Sequence, residues 1–343
     1  MFARARIGSH LARLLPQCIV PVVSALLLVH PTSVRAAATA DHPTVLIVVG
    51  APGEEDYGRK FAQSAGLWEK AARLGGAKPV VIGLVTNEPV SSRDQLQQAL
   101  SAEPTEGSEL WLVFVGHGTF DSKEARFALR GADVAASELA GWLAPLHRPV
   151  AVINTASASA PFLAKLSATN RVVITATRSG SEVNYARFGQ YLAESIADPA
   201  ADLDKDGQTS LLEAFLMASR RVKEFYDTEG RLATEHSLID DTGDGLGTPP
   251  DWFRGIRAVK SAKDGALLDG LRAHQFHLVR SEAEQKLAPA VRAKRDQLEV
   301  SIARLRDNKR SLPEEIYYEK LEALLLDLAR LYEGAGNAPT ASE

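Results

Sequence analysis

The sequence predicts an α/β fold: a mostly parallel sheet with helices on both faces. Two observations carry this: continuous apolar runs alternate with helix-length segments, and Gly and Pro punctuate them. Runs that are apolar along their whole length fit strands buried on both faces rather than strands with one wet face. Such strands join through right-handed crossovers, and functional groups then gather at their carboxyl ends.

The elements follow in order. Residues 44–50 (TVLIVVG) form the first strand, and residues 56–74 a helix stopped by Gly75 and Gly76. Residues 79–85 give the second strand, and Ser91 or Ser92 caps a helix running to about Ala102. The third strand, 109–116, carries His117 and Gly118 at its end, and 125–134 is a small hairpin excursion. Ser137 caps a short helix to Leu146. The fourth strand, 149–154, runs into a small polar turn at 155–160, and the fifth, 171–177, precedes a helix at 185–197.

From Asp202 the character changes to an acidic loop, a helix and a second acidic loop. Beyond Trp252 it becomes helical. Leu287, Val291, Leu298, Ile302 and Leu305 are spaced by three, four or seven. After a polar break at 307–310, Ser311 and Glu314 read as a capping box, and Tyr317, Leu321, Leu324, Leu328 and Leu331 alternate four and three up to Gly334. This predicts an antiparallel helical hairpin at 256–335, its first arm kinked at Pro289, and a disordered tail at 336–343.

Residues 1–40 read as a secretory signal: Arg4, Arg6 and Arg13, an apolar run from 18 to 29 too short for a stable anchor, then small residues fitting an A-x-A site. Its removal takes four arginines and no acids, so the net charge of −4 becomes −8. A mildly acidic chain offers no footprint for nucleic acid and no footing on an anionic membrane. The expected location is periplasmic or secreted, with no membrane span after cleavage. Cys18, the sole cysteine, goes with the signal, so the mature chain has neither a disulfide nor a thiol nucleophile. The α/β domain spans 41–255.

Asp202, Asp204 and Asp206 at positions one, three and five, Gly207 at six, the Gln208 carbonyl at seven, Ser210 at nine and Glu213 at twelve fit the EF-hand-type loop at every ligand position. Hard oxygen donors at this spacing point to Ca2+. The alternative is a solvated acidic loop. A second loop starts at Asp240, where Asp240, Thr242, Asp244 and Asp251 take ligand positions in a degraded match, so a calcium site and a plain Asp/Gly turn stand equal. His274 and His277 have no further ligand nearby in sequence and read as solvated helix surface. Gly50 and Gly53 lack phosphate-loop spacing.

His117 lies between two glycines at a strand end, and Ser157 and Ser159 sit in the turn after the next long strand. That order resembles the caspase-like peptidases, the legumain-like and bacterial members above all. Their pattern is a hydrophobic strand ending in His-Gly, then a strand ending in Asp-x-Cys-x-Ser-Gly. The resemblance covers residues 44–197. It implies a three-layer sandwich, with His117 at the catalytic histidine, Gly118 at the oxyanion-binding glycine and Ser157 in place of the nucleophilic cysteine. Ser159 matches the serine two places on, Ala160 replaces a glycine, and 171–177 matches the strand bordering the specificity pocket.

A serine hydroxyl, unlike a thiol, needs a well-oriented base, and no third triad member is promised; Asp121 and Glu124 are near His117 only in sequence. Three readings stand side by side: a Ser157/His117 peptidase, an inactive descendant that binds a peptide or protein partner, and chance similarity in another α/β fold. Self-association through the C-terminal helices is open.

Overall fold

The computed structural model describes residues 42–86, 89–263 and 266–336; the expected signal at 1–40 and the tail from 337 lie outside these. β1 (Thr44–Val49) leads to α1 (Glu55–Leu74), β2 (Lys78–Ile82), α2 (Ser92–Ala102) and β3 (Leu110–Val115). A small antiparallel excursion follows, of β4 (Gly118–Phe120), β5 (Ala125–Phe127) and β6 (Val134–Ala135). Then come α3 (Ala136–Leu143), β7 (Val150–Asn154), α4 (Ala160–Leu166), β8 (Arg171–Thr175), α5 (Phe188–Ser195), α6 (Leu211–Thr228) and β9 (Leu238–Asp240). A ribbon of β10 (Phe253–Arg254) and β11 (Arg257–Ala258) precedes α7 (Leu271–Gln275), α8 (Glu282–Lys286), α9 (Pro289–Asp307) and α10 (Glu314–Gly336).

The main sheet has six strands in the order β2-β1-β3-β7-β8-β9, parallel except for β9 against β8. Every residue of β1, β3, β7 and β8 is buried, as fully apolar runs require. Alternate side chains feed two cores. Val45, Ile47 and Val49 meet Phe61, Trp68, Phe188 and Phe215 on one face; Leu46 and Val48 meet Leu96, Leu139, Leu143 and Phe162 on the other. The result is three layers, helices, sheet and helices.

Several boundaries differ from expectation for local reasons. β2 ends at Ile82 because Gly83 turns left-handed (φ +83°) and lies too close to the Val49 carbonyl for any side chain. α5 starts at Phe188, where the Glu235 carboxylate accepts the Arg187 and Phe188 N–H groups at 2.9 Å each. Pro289 does not kink α9: it occupies the first turn, where no backbone donor is needed. Ser311 does not cap α10; its hydroxyl donates to the Asn308 carbonyl in the preceding turn.

The C-terminal segment packs onto the sheet region. Phe276 meets Trp111 edge-on at 5.6 Å, Arg280 pairs with Glu109, and α9 and α10 pack on each other with Leu298, Ile302 and Tyr317 buried. His277 is buried rather than solvated. Its Nδ1–H donates to the Gln275 carbonyl at 3.3 Å, and burial pushes the ring down to about 4.

Two carboxylates tie this segment to the sheet edge. Asp241 accepts from Gly270 N at 3.0 Å and Ala273 N at 2.8 Å. Asp269 accepts in return from Asp241 N at 3.0 Å, Thr242 N at 3.3 Å and the Thr248 hydroxyl. Burial, then the Asp241 charge, pushes the Asp269 carboxyl up to about 8. The fold therefore favours its protonated form. Stability is full below the ordinary carboxylate range and is lost as pH climbs toward 8. Asp269→Asn should flatten that loss, read by urea unfolding at pH 5 and pH 8 with about 1 kcal/mol or more of the wild-type difference removed.

Candidate functional site

β3 and β7 are neighbours, with Phe114 opposite Asn154, so their carboxyl ends place His117–Gly118 beside the 155–159 turn. The contact is intimate. The Gly118 N–H donates to Ser157 Oγ at 3.3 Å, and the Ser157 hydroxyl donates to the Gly118 carbonyl at 3.2 Å. A β-carbon on Gly118 would lie 2.5 Å from the Ser157 carbonyl oxygen, so only glycine fits. Ser157 is 4% exposed.

His117 points elsewhere. Its ring is half-buried among Tyr57 at 4.8 Å, Phe61 at 5.1 Å and Tyr185 at 6.4 Å between centroids. Nε2 lies 3.3 Å from the Pro52 carbonyl, which can only accept, so Nε2 carries the proton. Burial lowers the ring's affinity for a second proton. Among the described residues, neither Ser157 nor any carboxylate hydrogen-bonds this imidazole. Asp121 is spent on Lys123 N, Glu124 N and Arg126, and Glu124 on Ser137.

The turn itself is a polar network in which the buried Asn154 Nδ2 alone lacks a partner among the described residues. Asn154 Oδ1 accepts Ala156 N at 3.1 Å, and Ser159 Oγ accepts Ala176 N at 3.1 Å and Thr177 N at 3.3 Å. Ala158 is left-handed, at φ +52°. Its N–H donates to the Glu182 carbonyl at 2.8 Å. The Glu182 side chain accepts Arg178 N at 3.0 Å, His236 N at 3.2 Å and His236 Nδ1–H at 2.6 Å. The carboxylate-oriented imidazole here is thus His236, to which the sequence assigns only local hydrogen bonding because its partner stands 54 residues away without a motif. Beside the Pro52 end of the site, at the ends of β1 and β2, a cavity of about 370 Å3 is lined by Pro52, Phe61, Leu84, Arg59 and Arg130.

The acidic loop runs from a one-turn 3-10 segment (Pro199–Ala201) into α6. Carboxylate oxygens of Asp202, Asp204 and Asp206 lie within 4.8 Å of one another. Gly207, at φ +90°, makes the sharp turn, and Asp202 accepts from Lys205 N at 2.7 Å and Gly207 N at 3.1 Å. Glu213 is fully buried and accepts from Leu203 N at 2.7 Å and from Ser210 N and Oγ at 2.8 Å. The Ser210 hydroxyl oxygen also accepts Glu213 N at 3.2 Å, and so caps α6. The Gln208 side chain turns outward to Asp206 and Ser281 N. Asp202, Asp206 and Glu213 form no ion pair among the described residues. The crowded oxygens of Asp202, Asp204 and Asp206 suit a hard divalent cation, while Glu213 does not group with Asp202 and Asp206 and the Lys205 ammonium is held on the Asp202 main-chain carbonyl. His274, expected to stand alone, lies 3.0 Å from Asp204 Oδ2 and converges with Asp204 and Glu213.

The second loop is satisfied by its own amides. Asp240 accepts Thr242 N at 3.1 Å, Gly243 N at 2.9 Å and Gly245 N at 2.9 Å, together with the Ser167 hydroxyl. Asp251 sits in a separate 3-10 turn, Pro250–Trp252, and Asp240, Asp244 and Asp251 do not converge. The arrangement is a plain Asp/Gly turn.

No protein-family model matches the chain, and no curated protein matches it in sequence. Among solved structures it is similar to the Drosophila initiator caspase Dronc, at 14% identity and a TM-score of 0.37 over 59% of this chain and 80% of that one. It is similar to caspase-1 from Spodoptera frugiperda at 11% identity and 0.39, over 58% and 86%. A Geobacter sulfurreducens protein gives 12% identity and 0.36, over 58% and 92%.

Because Gly118 and the Ser157 turn are in van der Waals contact, Gly118→Ala should force them apart and cost about 1–3 kcal/mol, read by urea denaturation.

Proposed function

We propose that this chain is an exported, calcium-stabilised binding module on a caspase-like α/β frame, which grips a peptide or protein partner without cutting it. One observation carries the reading. The Ser157 hydroxyl both donates to and accepts from the Gly118 backbone, while the His117 N–H is given to Pro52, so no base touches the hydroxyl. The Gly118 N–H that a peptidase would aim at an oxyanion is filled by the chain's own serine. No cysteine in the mature chain could replace Ser157.

The partner docks at the carboxyl ends of the strands. The cavity beside Pro52, with Phe61 and Leu84 on its walls and Arg130 at its rim, suits an apolar side chain, since Arg59 is already paired with Glu55 and Asp56. Calcium is held by Asp202, Asp204 and Asp206, the Gln208 main-chain carbonyl, Ser210 and Glu213. It supplies the positive charge that lets these oxygens crowd, and so orders the connection between α5 and α6. The leader at 1–40 sends the protein to the periplasm or beyond, and α9 and α10 are the surface for any self-association.

Residues 41–343 with calcium should be silent on a mixed fluorogenic peptide library, and Ser157→Ala should change neither that silence nor peptide binding; turnover lost in Ser157→Ala would overturn the reading. Chelator should lower the melting temperature by the equivalent of about 2.7 kcal/mol when calcium had stood near 100 times its Kd, and Asp202→Asn should remove that response.

A further inference from the structure

A second cavity, also of about 370 Å3, opens between the second acidic loop, the β10–β11 ribbon, α7 and α9. Ile256, Leu268, Leu271 and Val300 give it apolar walls. Arg272 from α7 and Arg304 from α9 line it too.

Arg272 is in an unusual position. It is half-buried, yet among the described residues its guanidinium makes no hydrogen bond and no ion pair. A guanidinium carries five donors, and those of Arg272, which are not among the fully buried polar atoms, are left to face the cavity. Burial weakens its hold on the proton, the nearby Asp241 charge partly offsets this, and the Arg304 charge opposes it further. Arg304 is likewise unpaired among the described residues. Arg257, by contrast, is already spent on Asp307 at 3.2 Å.

The acids in the cavity do not fill the gap. Asp241 is committed to the Gly270 and Ala273 N–H groups, and Asp269 to Asp241 N, Thr242 N and Thr248. His274 is turned to Asp204. What remains, with Arg306 also in the lining and without a partner among the described residues, is three unpaired like charges above an apolar floor, of which Arg272 and Arg304 come from two different helices.

We infer that this cavity binds a small organic acid, an apolar body ending in a carboxylate, which pairs with Arg272 and Arg304. Charge-assisted bonds from a planar guanidinium favour a carboxylate over its neutral amide, and the apolar walls favour a ligand with a hydrocarbon body. The inference is independent of the His117–Ser157 reading, since the two sites share no residue.

Isothermal titration calorimetry at low salt, with calcium held constant, compares 4-phenylbutyrate with the isosteric 4-phenylbutanamide. The acid should bind at least about tenfold more tightly than the amide. Arg272→Gln should lose about tenfold of that affinity and the exposed Arg304→Gln about threefold, both with unchanged melting temperature. If Arg272→Gln fails to fold, the acid–amide ratio and Arg304→Gln decide alone. Equal binding of acid and amide, no binding of the acid up to about 10 mM, or a folded Arg272→Gln that binds like wild type would each overturn the assignment.

Discussion

Burying a parallel sheet on both faces is the constraint from which the rest follows. β1, β3, β7 and β8 expose no side chain, so each connection between parallel strands must cross over a face and return to the same end. That brings the strand ends, with their turns, into one crowded region. The crowding is literal at Gly118, whose missing side chain lets β4 lie against the Ser157 carbonyl. It also decides the chemistry, because a turn pressed this tightly has little solvent to satisfy its polar groups. The Ser157 hydroxyl, buried there, finds both partners in the Gly118 backbone.

The same economy governs the histidines. His117 is held by three aromatic rings and a carbonyl, an environment that keeps an imidazole neutral and still. His236, at the same end of the sheet, has the carboxylate that a general base would want, in Glu182. Orientation and nucleophile thus sit on different residues. In this fold the parts of a hydrolytic site are present as types but are not connected.

Much of this was legible in the sequence because it rests on local pattern. The apolar runs gave the strands, and the Gly-His-Gly and Ser157 turns fell where parallel topology gathers strand ends. The loop at 202–213 was legible because its oxygens recur at fixed offsets within twelve residues. What was not legible depends on long-range pairing. Glu182 with His236, Asp241 with Asp269, and Asp204 with His274 join segments that share no motif. The misplaced kink at Pro289 has a different cause: a proline signals a break or a helix start equally well, and only the neighbouring chain decides. His277 read as helix surface, but α7 stops at Gln275, and the burial of His277 comes from the packing of the C-terminal segment on the sheet region.

In the proposed binding module Ser157 is a structural hydroxyl. Its most direct test is intact-mass spectrometry of the calcium-loaded mature protein after incubation with a fluorophosphonate, which forms a stable adduct with an activated serine. A structural hydroxyl leaves the mass unmodified at a reagent excess that fully labels a serine hydrolase control. A single adduct mapping to Ser157 and absent from Ser157→Ala would contradict it.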